Sequence, residues 1–238
     1  MRSFRRFITK YLMPDMQNSY AQLGEDLIMG HLFYQLGIQK PTYLDIGANE
    51  ARFISNTYLF YQRGSRGVLV EPNPYLFRKL ISARPKDTVI NAGIGLTEMA
   101  EADFYVFPDY ANGLSTFSEK EAKHWELIGM KGLGKIPVEK VIKIPLIPVN
   151  TILEKYFPLA APNLMSIDVE GLDTEILMSM DFSKYQPEVI CVETLAYDEN
   201  QESFKITEIE ELMRKKNYEV YADTRVNTIF CKKDIFKK

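Results

Sequence analysis

The stretch Tyr43-Leu44-Asp45-Ile46-Gly47-Ala48-Asn49 decides the fold of this 238-residue chain. Its first four residues form a short apolar run of the kind that lies buried in a parallel sheet. A single glycine then allows the backbone to turn tightly and approach a ligand before the next helix begins. The stretch therefore predicts the first strand and the ligand-binding loop of an α/β fold.

Further apolar runs continue this pattern along the chain. We predict strands at residues 67–71, 89–91, 164–168 and 189–193. Helical spacing of apolar residues falls between the strands, at Ile54, Tyr58, Tyr61, Leu76, Leu80, Ile176, Leu177 and Met180. This alternation predicts a mostly parallel, doubly wound sheet covered on both faces. Residues 219–231, with a turn near Thr224-Arg225, add a C-terminal antiparallel hairpin.

Composition and charge exclude several classes of protein. Hydrophobic residues make up 46% of the chain and charged residues 26%, which is typical of a globular protein. The net charge of −3 offers no positive field for a nucleic-acid backbone, so no nucleic-acid partner is expected. Two cysteines and two histidines cannot form a thiolate zinc site or a His-rich metal site. Isolated thiols and the lack of a signal pattern favour a cytoplasmic location.

Only the N-terminus departs from this composition. Basic residues alternate with aromatic and aliphatic ones before Pro14, which predicts a basic amphipathic helix within residues 1–17. We expect this helix to dock on its own domain. The alternative is that residues 1–13 contact an anionic membrane, which would make the protein peripheral at the inner membrane surface. Residues 18–238 are predicted to form one domain with an insertion at about 108–140, and the oligomeric state stays open.

Acidic residues lie at or near the ends of four predicted strands: Asp45, Glu71, Asp168 and Glu193. Ligands of open α/β sheets bind at the carboxyl ends of the strands, so we expect these four carboxylates around one site. A nicotinamide dinucleotide would require Gly-x-Gly-x-x-Gly after the first strand, and two of those glycines are missing. An acid there instead suits a cofactor with an amino group and a sulfonium charge. Glu71 can accept both hydroxyls of a ribose.

Several motifs in order make the chain recognisable across residues 19–197. They are Ser19-Tyr20-Ala21-Gln22-Leu23-Gly24-Glu25-Asp26, Tyr43 to Asn49, Ser55-Asn56-Thr57, Glu71-Pro72-Asn73-Pro74, Leu114-Ser115-Thr116-Phe117, Ser166-Ile167-Asp168-Val169-Glu170-Gly171 and Cys191-Val192-Glu193-Thr194. Together they resemble the FkbM family of S-adenosylmethionine-dependent methyltransferases. The resemblance implies a class I methyltransferase fold. It also implies O-methylation of a hydroxyl on a glycan, a sugar or a natural product, which would be a form of polysaccharide modification when the acceptor is a glycan.

The resemblance also assigns cofactor-binding residues. It places Asp45, Gly47 and Asn49 at the methionine end of S-adenosylmethionine. It assigns binding of the ribose and adenosine to Glu71 with Pro72 and Asn73. It assigns the adenine edge to Asn91. Gln22 would fold over the cofactor as a lid, with surface pairing on the following helix as the alternative. Asn56 completes the predicted cofactor set.

The candidate catalytic residues are Asp168, Glu170 and Glu193. We assign proton abstraction from the acceptor hydroxyl to Asp168, with Glu170 orienting the loop. His124 lies beside Trp125 and is expected to be structural. Asp168 and Glu193 could alternatively bind a divalent cation that activates the acceptor. The alternative function is a catalytically silent S-adenosylmethionine-binding module that partners glycan assembly enzymes.

Overall fold

A central sheet and a smaller second sheet organise the molecule. The computed structural model describes residues 17–96, 101–130, 132, 134–169, 171–197 and 202–237. In chain order the strands are β1 (Tyr43–Ile46), β2 (Gly67–Val70), β3 (Thr88–Ile90), β4 (Gly93–Ile94), β5 (Glu101–Val106), β6 (Lys140–Ile147), β7 (Leu164–Ile167), β8 (Val189–Glu193), β9 (Leu195–Tyr197), β10 (Ser203–Lys205), β11 (Tyr218–Asp223) and β12 (Asn227–Lys232). The helices are α1 (Glu25–Gln35), α2 (Tyr58–Gln62), α3 (Pro74–Ala83), α4 (Glu119–Leu127), α5 (Val149–Tyr156), α6 (Asp173–Ser179) and α7 (Thr207–Lys215).

The central sheet has seven strands in the order β11-β12-β8-β7-β1-β2-β3. The pairs from β8 to β3 are parallel, and β12 runs antiparallel to both β8 and β11. The predicted parallel sheet and C-terminal hairpin are thus confirmed. Because the chain winds outward from β1 in both directions, the crevice between the β1 and β7 ends is the topological switch point where ligands of such sheets bind.

Two layers of apolar side chains cover the faces of this sheet. Leu44 and Ile46 of β1 pack on one face against α5, α6 and α7. Tyr43, whose side chain points to the opposite face of the same strand, packs there against α1, α2 and α3. Side chains of a strand alternate between faces, so an apolar strand is buried on both sides here.

The second sheet was not predicted from the sequence. It has the order β4-β6-β5, with β4 parallel and β5 antiparallel to β6. A 3-10 helix (Asp109–Leu114) and α4 lie between β5 and β6, within the range predicted as an insertion. Backbone hydrogen bonds between Tyr105 and Thr116, of 2.9 and 3.2 Å, tie this segment to β5.

A buried polar network lies on the α3 side of β1. Arg84 is fully buried and donates through Nε to Asp87 Oδ2 at 2.8 Å, through Nη1 to Thr57 Oγ1 at 3.0 Å and through Nη2 to the Tyr43 hydroxyl at 2.9 Å. Thr57 in turn donates to Asp45. Buried charges are tolerated only when they are paired in this way. The network therefore fixes the C-terminal end of α3 to the first strand.

Candidate active site

A cavity of about 490 Å³ opens at the carboxyl ends of the parallel strands. Its size lies within the usual range for sites of small molecules and cofactors. The wall combines apolar residues such as Ile46, Val70 and Leu172 with four carboxylates: Glu50, Glu71, Asp168 and Glu193. The loop after β1, the loop after β2 and the insertion all contribute to it. Three of the four acids predicted from strand ends therefore share one cavity.

Gly47 lets two loops meet at the floor of the cavity. Its φ is +79°, which side chains disfavour, and a Cβ there would lie 1.8 Å from the backbone oxygen of Asp168. No other residue fits that contact. The glycine therefore holds the loop after β1 directly against the loop after β7, and brings the predicted cofactor loop next to the predicted catalytic residue.

Glu71 joins the loops that follow β1 and β2. Its Oε2 accepts a hydrogen bond from the backbone N–H of Asn49 at 2.8 Å, and its Oε1 accepts one from the N–H of Asn73 at 2.7 Å. The side chain is nearly fully buried. Burial raises the pKa of Glu71 to about 7, although both backbone donors favour the ionised form. Each oxygen retains a lone pair that can accept a hydrogen bond from a ligand in the cavity.

Asp168 and Glu193 are hydrogen-bonded to each other in the wall. Burial, followed by the charge of Asp45, raises the pKa of Asp168 to about 6. The pair therefore offers a proton acceptor whose strength is matched to neutral pH.

Four predicted cofactor residues lie outside the cavity wall. Asp45 precedes the last residue of β1, so its side chain faces the Arg84 network while Ile46 faces the cavity. Asn56 donates to Ser166 Oγ at 3.2 Å on the same side of the sheet as Asp45. Asn73 caps the N-terminus of α3 by accepting from the Tyr75 N–H at 3.0 Å. Asn91 donates to the carbonyls of Glu71 and Pro72, both at 2.8 Å.

Contact of these four side chains with the cofactor stays a prediction, because their positions are known only relative to the empty cavity. In the structure they support the loops that form the wall. Asn91 holds the backbone around Glu71 in place, and Asn73 fixes the start of α3 beside it. The remaining predicted cofactor residues do line the cavity, namely Gln22, Gly47, Asn49, Glu71 and Pro72.

Other predicted residues lie outside the cavity wall or outside the described part of the chain. Glu170 and residues 1–16 of the predicted basic helix lie outside the described residues. His124 lies on α4 with its ring 4.9 Å from that of Trp125 in an edge-to-face contact, and it is not in the cavity wall. The described residues contain no helix with the length and apolar character needed to cross a bilayer. They also contain no cluster of three potential metal ligands.

Sequence patterns did not reveal three residues at the mouth of the cavity. Phe53, Ile54 and Tyr110 line it while remaining 73%, 47% and 65% exposed. Ile54 also has a φ of +55°, which is strained for a β-branched residue and is typical of functional loops. Exposed apolar residues around a polar cavity commonly contact a ligand. Phe53 and Ile54 lie in a loop and Tyr110 lies in the short 3-10 helix, and apolar periodicity gives no signal in either.

The residues of this cavity fit S-adenosylmethionine, the cofactor that the resemblance implies. Asn49 Oδ1 is buried in the structure without a hydrogen-bond partner, which indicates that a ligand donor completes it. Glu71 would hold the ribose hydroxyls, Pro72 and the apolar wall would cover the adenine, and the cofactor's positive charge would lie near acidic side chains. When bound, the cofactor supplies an electrophilic methyl group on a sulfonium.

Comparison with solved structures finds likenesses at low identity. A TehB-like SAM-dependent methyltransferase from Corynebacterium glutamicum has 10% identity and a TM-score of 0.44, with 98% of this chain and 95% of that chain covered. A putative O-methyltransferase from Klebsiella pneumoniae has 10% identity and a TM-score of 0.45, covering 97% and 96%. A Burkholderia thailandensis 1,6-didemethyltoxoflavin-N1-methyltransferase with bound S-adenosylhomocysteine has 13% identity and a TM-score of 0.43, covering 98% and 87%. With TM-scores under 0.5, these likenesses carry no argument about activity.

Comparison with curated proteins gives no match. Comparison with protein families matches residues 45–220, about three quarters of the chain, to the methyltransferase FkbM domain. The match begins at the strand that leads into the cavity floor and ends in β11, so it spans the whole set of wall-forming strand ends. The α/β sheet with its C-terminal hairpin is accordingly a class I methyltransferase fold, and the chain belongs to the FkbM family of S-adenosylmethionine-dependent methyltransferases.

Proposed function

We propose that this methyltransferase acts on a hydroxyl group of a glycan, a sugar or another natural product. The observation that carries the proposal is the hydrogen-bonded pair of Asp168 and Glu193 in the cavity wall. A hydroxyl is a weak nucleophile until its proton is removed, so its methylation benefits from a base at the site. Asp168, with its pKa raised to about 6 by burial, is ionised at pH 7 and can serve as that base.

The charge of the cavity favours an oxygen acceptor over an amine. A nearby carboxylate stabilises the protonated form of an amine and so raises its pKa. A protonated amine has no lone pair to attack a methyl group. A hydroxyl, by contrast, stays neutral in acidic surroundings and can donate its proton to Asp168.

The roles of the residues follow from their places in the wall. Glu71 and Asn49 would fix the cofactor, while the insertion between β5 and β6 covers the opposite side and helps to exclude water. The acceptor oxygen would donate its proton to Asp168 as that oxygen forms its new bond to the methyl carbon, with loss of the bond between this carbon and the sulfonium sulfur, which would leave as a neutral thioether. Glu193 would share the proton through its hydrogen bond to Asp168. Positioning then contributes alongside proton abstraction.

The test is methyl transfer from isotopically labelled S-adenosylmethionine to a panel of sugars, oligosaccharides and hydroxylated metabolites. A product that gains one labelled methyl group, with the carbon assigned to an ether by NMR, supports the proposal. Methylation on nitrogen or carbon would overturn it. Cofactor binding without turnover on any acceptor would instead favour the silent binding module that the sequence left as the alternative.

A further inference from the structure

An open groove of about 530 Å³ lies beside the candidate active site. Residues 50–53 of the loop after β1 form one side of it, and helix α3 forms the other. Two of its residues, Glu50 and Phe53, also line the active-site cavity, so the groove and the cavity meet there. A ligand in this groove would therefore lie against the mouth of the cavity.

Helix α3 turns a polar face toward the groove. The residues of α3 that line it follow one another at intervals of three and four, which places them on one face of the helix: Tyr75, Arg78, Lys79 and Ser82. Leu76 and Leu80 lie on a different face of α3 and are buried. Because these leucines anchor the helix in the protein, its cationic side chains start from a rigid element.

Positive charge is in excess in this groove. Arg52, Arg78 and Lys79 line it together with one carboxylate, Glu50. The Nζ atom of Lys79 lies 2.9 Å from Oε1 of Glu50, so this pair accounts for one charge of each sign. The guanidinium groups of Arg52 and Arg78 remain, in a chain whose net charge is −3. The groove therefore offers two positive charges to an anion.

Two of the three cations are also held against aromatic rings. Lys79 Nζ lies 4.4 Å from the centroid of the Tyr75 ring, and the guanidinium carbon of Arg52 lies 5.6 Å from the centroid of the Tyr58 ring. Contacts of this kind favour one orientation of a long side chain. The cations are thus partly oriented before a ligand binds, which lowers the entropic cost of binding.

The charge and the donor groups of the groove match a phosphate ester. A phosphate monoester carries between one and a half and two negative charges at neutral pH, which is close to the excess that Arg52 and Arg78 supply. A guanidinium presents its N–H groups as a planar fork that fits two phosphate oxygens at once. Two arginines are therefore better suited to a phosphate than to a singly charged group.

Phe53 adds a preference for an organic ligand. Its ring is mostly exposed and lies where the groove meets the cavity. An exposed aromatic face gains from contact with the apolar part of a ligand, whereas an inorganic ion makes no use of it. A ligand that carries both a phosphate and an apolar part would use the arginines and the ring together.

We propose that this groove binds an organic phosphate, with the phosphate group on Arg52 and Arg78 and the organic part against Phe53. The site is separate from that of the methyl donor, since neither arginine lines the active-site cavity. It goes beyond the proposed function and does not depend on which atom of the acceptor is methylated.

The test measures binding without turnover. The full-length protein, saturated with S-adenosylhomocysteine, is titrated by calorimetry at low ionic strength with phenyl phosphate and, separately, with inorganic phosphate. We expect both to bind and phenyl phosphate to bind more tightly. Both affinities should fall as sodium chloride is added, because salt screens charges at an open groove.

Variants of the arginines test the phosphate contacts. Arg78→Gln and Arg52→Gln should each weaken the binding of phenyl phosphate by roughly five- to twentyfold, because each removes a charged hydrogen-bond donor. Both should keep the parent's affinity for S-adenosylhomocysteine. Arg214→Gln is the matched control, since Arg214 is an exposed arginine of α7 outside the groove. It removes the same charge and should leave phenyl phosphate binding as in the parent.

Two further variants test the other parts of the groove. Glu50→Gln releases Lys79 from its ion pair and should strengthen the binding of both phosphates by roughly two- to fivefold. A gain in affinity cannot result from damage to the fold. Phe53→Ser should weaken the binding of phenyl phosphate by roughly threefold and leave that of inorganic phosphate unchanged.

Three outcomes would overturn the inference: no saturable binding of phenyl phosphate at low ionic strength, an equal loss of binding in Arg214→Gln and Arg78→Gln, or weaker binding in Glu50→Gln. Flotation with phosphatidylglycerol vesicles that requires Arg52 and Arg78, without saturable binding of phenyl phosphate, would also overturn it and identify a membrane-facing surface instead. Failure of the proposed function would look different. It would show as methylation at nitrogen or carbon in the labelled assay, whatever the groove binds.

Discussion

Asn49 and Glu71 are joined across the cavity floor, because the backbone N–H of Asn49 donates to Oε2 of Glu71 at 2.8 Å. The bond connects the loop after β1 with the loop after β2, and it aligns the carboxylate before any ligand binds. Preorganisation of this kind lowers the entropic cost of ligand binding. The predicted ribose site thus lies on two loops that directly follow neighbouring strands of the sheet.

Replacement of Glu71 should therefore weaken cofactor binding. We expect Glu71→Ala to reduce the affinity for S-adenosylmethionine by on the order of 1–3 kcal/mol, because a charged hydrogen-bond acceptor is lost. Isothermal titration calorimetry measures the change. Glu219→Ala, at an exposed position of β11, is the matched control and should bind as the parent does. Parent-like affinity in Glu71→Ala would refute the ribose assignment.

Asp168→Asn should separate chemistry from binding. The substitution keeps the shape of the side chain but removes its ability to accept a proton. We expect turnover to fall by roughly 10²–10⁴-fold while cofactor affinity changes little. Turnover by the parent should survive a chelator. Loss of the parent's activity on chelation, together with an inactive Asp168→Asn variant, would instead favour the alternative in which Asp168 and Glu193 bind a divalent cation.

The pH profile of the parent provides a second test of the same residue. A base acts only when ionised, and burial raises the pKa of Asp168 to about 6. Activity at low acceptor concentration should therefore rise as pH increases through about 6 and then level off. The measurement is kcat/KM from pH 5 to pH 8. A profile that is flat below pH 7 would exclude Asp168 as the base.

Asp173 should make stability depend on pH. Burial, followed by the charge of Asp168, raises the pKa of this carboxyl in the folded protein to about 7, from an ordinary value of 3.8. Between these two values the folded state holds a proton that the unfolded state has lost, so stability falls as pH rises from about 4 to 7. Asp173→Asn should reduce the decrease in the free energy of unfolding over this pH interval by on the order of 2–4 kcal/mol. Urea unfolding at several pH values measures it, and a slope equal to the parent's would contradict the assignment.

Removal of the buried arginine should destabilise the fold. Arg84 and Asp87 form an ion pair at 2.8 Å in which neither side chain is exposed. Arg84→Met leaves the buried Asp87 carboxylate with its hydrogen bonds from Tyr43 and Gly67 but without its cation, and we expect a loss of about 3–5 kcal/mol in the free energy of unfolding. The double variant Arg84→Met, Asp87→Asn should recover part of this loss because it removes the unpaired charge. If the single and double variants were equally stable, the ion pair would not be the source of the effect.

Deletion of residues 1–15 should leave cofactor affinity unchanged. The cavity wall among the described residues begins at Gln22, well after the deleted segment. Flotation of the full-length and shortened proteins with anionic vesicles tests the segment itself. If the full-length protein floated with the vesicles and the shortened protein did not, our expectation that the basic helix docks on its own domain would be wrong.

Much of the central sheet could be predicted because each parallel strand is an uninterrupted apolar run. The predicted strand at 164–168 corresponds to β7, Leu164–Ile167, with Asp168 directly after it. The second sheet could not be predicted in this way. β6 reads KVIKIPLI, with lysines and a proline among its apolar residues, and its partner β5 lies more than thirty residues earlier in the chain. Pairing across such a separation leaves no local pattern.

The candidate site, like the fold, could be predicted from the sequence only in part. Glu71, Asp168 and Glu193 were found from their places at strand ends, which the fold brings to one edge. Asp45 faces the Arg84 network and Ile46 faces the cavity, because successive side chains of a strand point to opposite faces of the sheet. Phe53 lies in a loop and Tyr110 in a short 3-10 helix, and tertiary contacts set the course of both segments, so their approach to one cavity had no signature in the sequence.

The position of the insertion separates two functions along the chain. The stretch that covers the cavity, including residues 110–117, leaves the sheet after β5 and returns through β6, where the N–H of Glu139 donates to the carbonyl of Val106 at 2.8 Å. The loops that are predicted to bind the methyl donor come from other segments of the chain. An exchange of residues 108–138 between members of the family should thus alter acceptor choice, while the flanking paired strands keep the exchanged segment in place. Diversification of acceptors in such a scaffold requires no change in the machinery that holds the methyl donor.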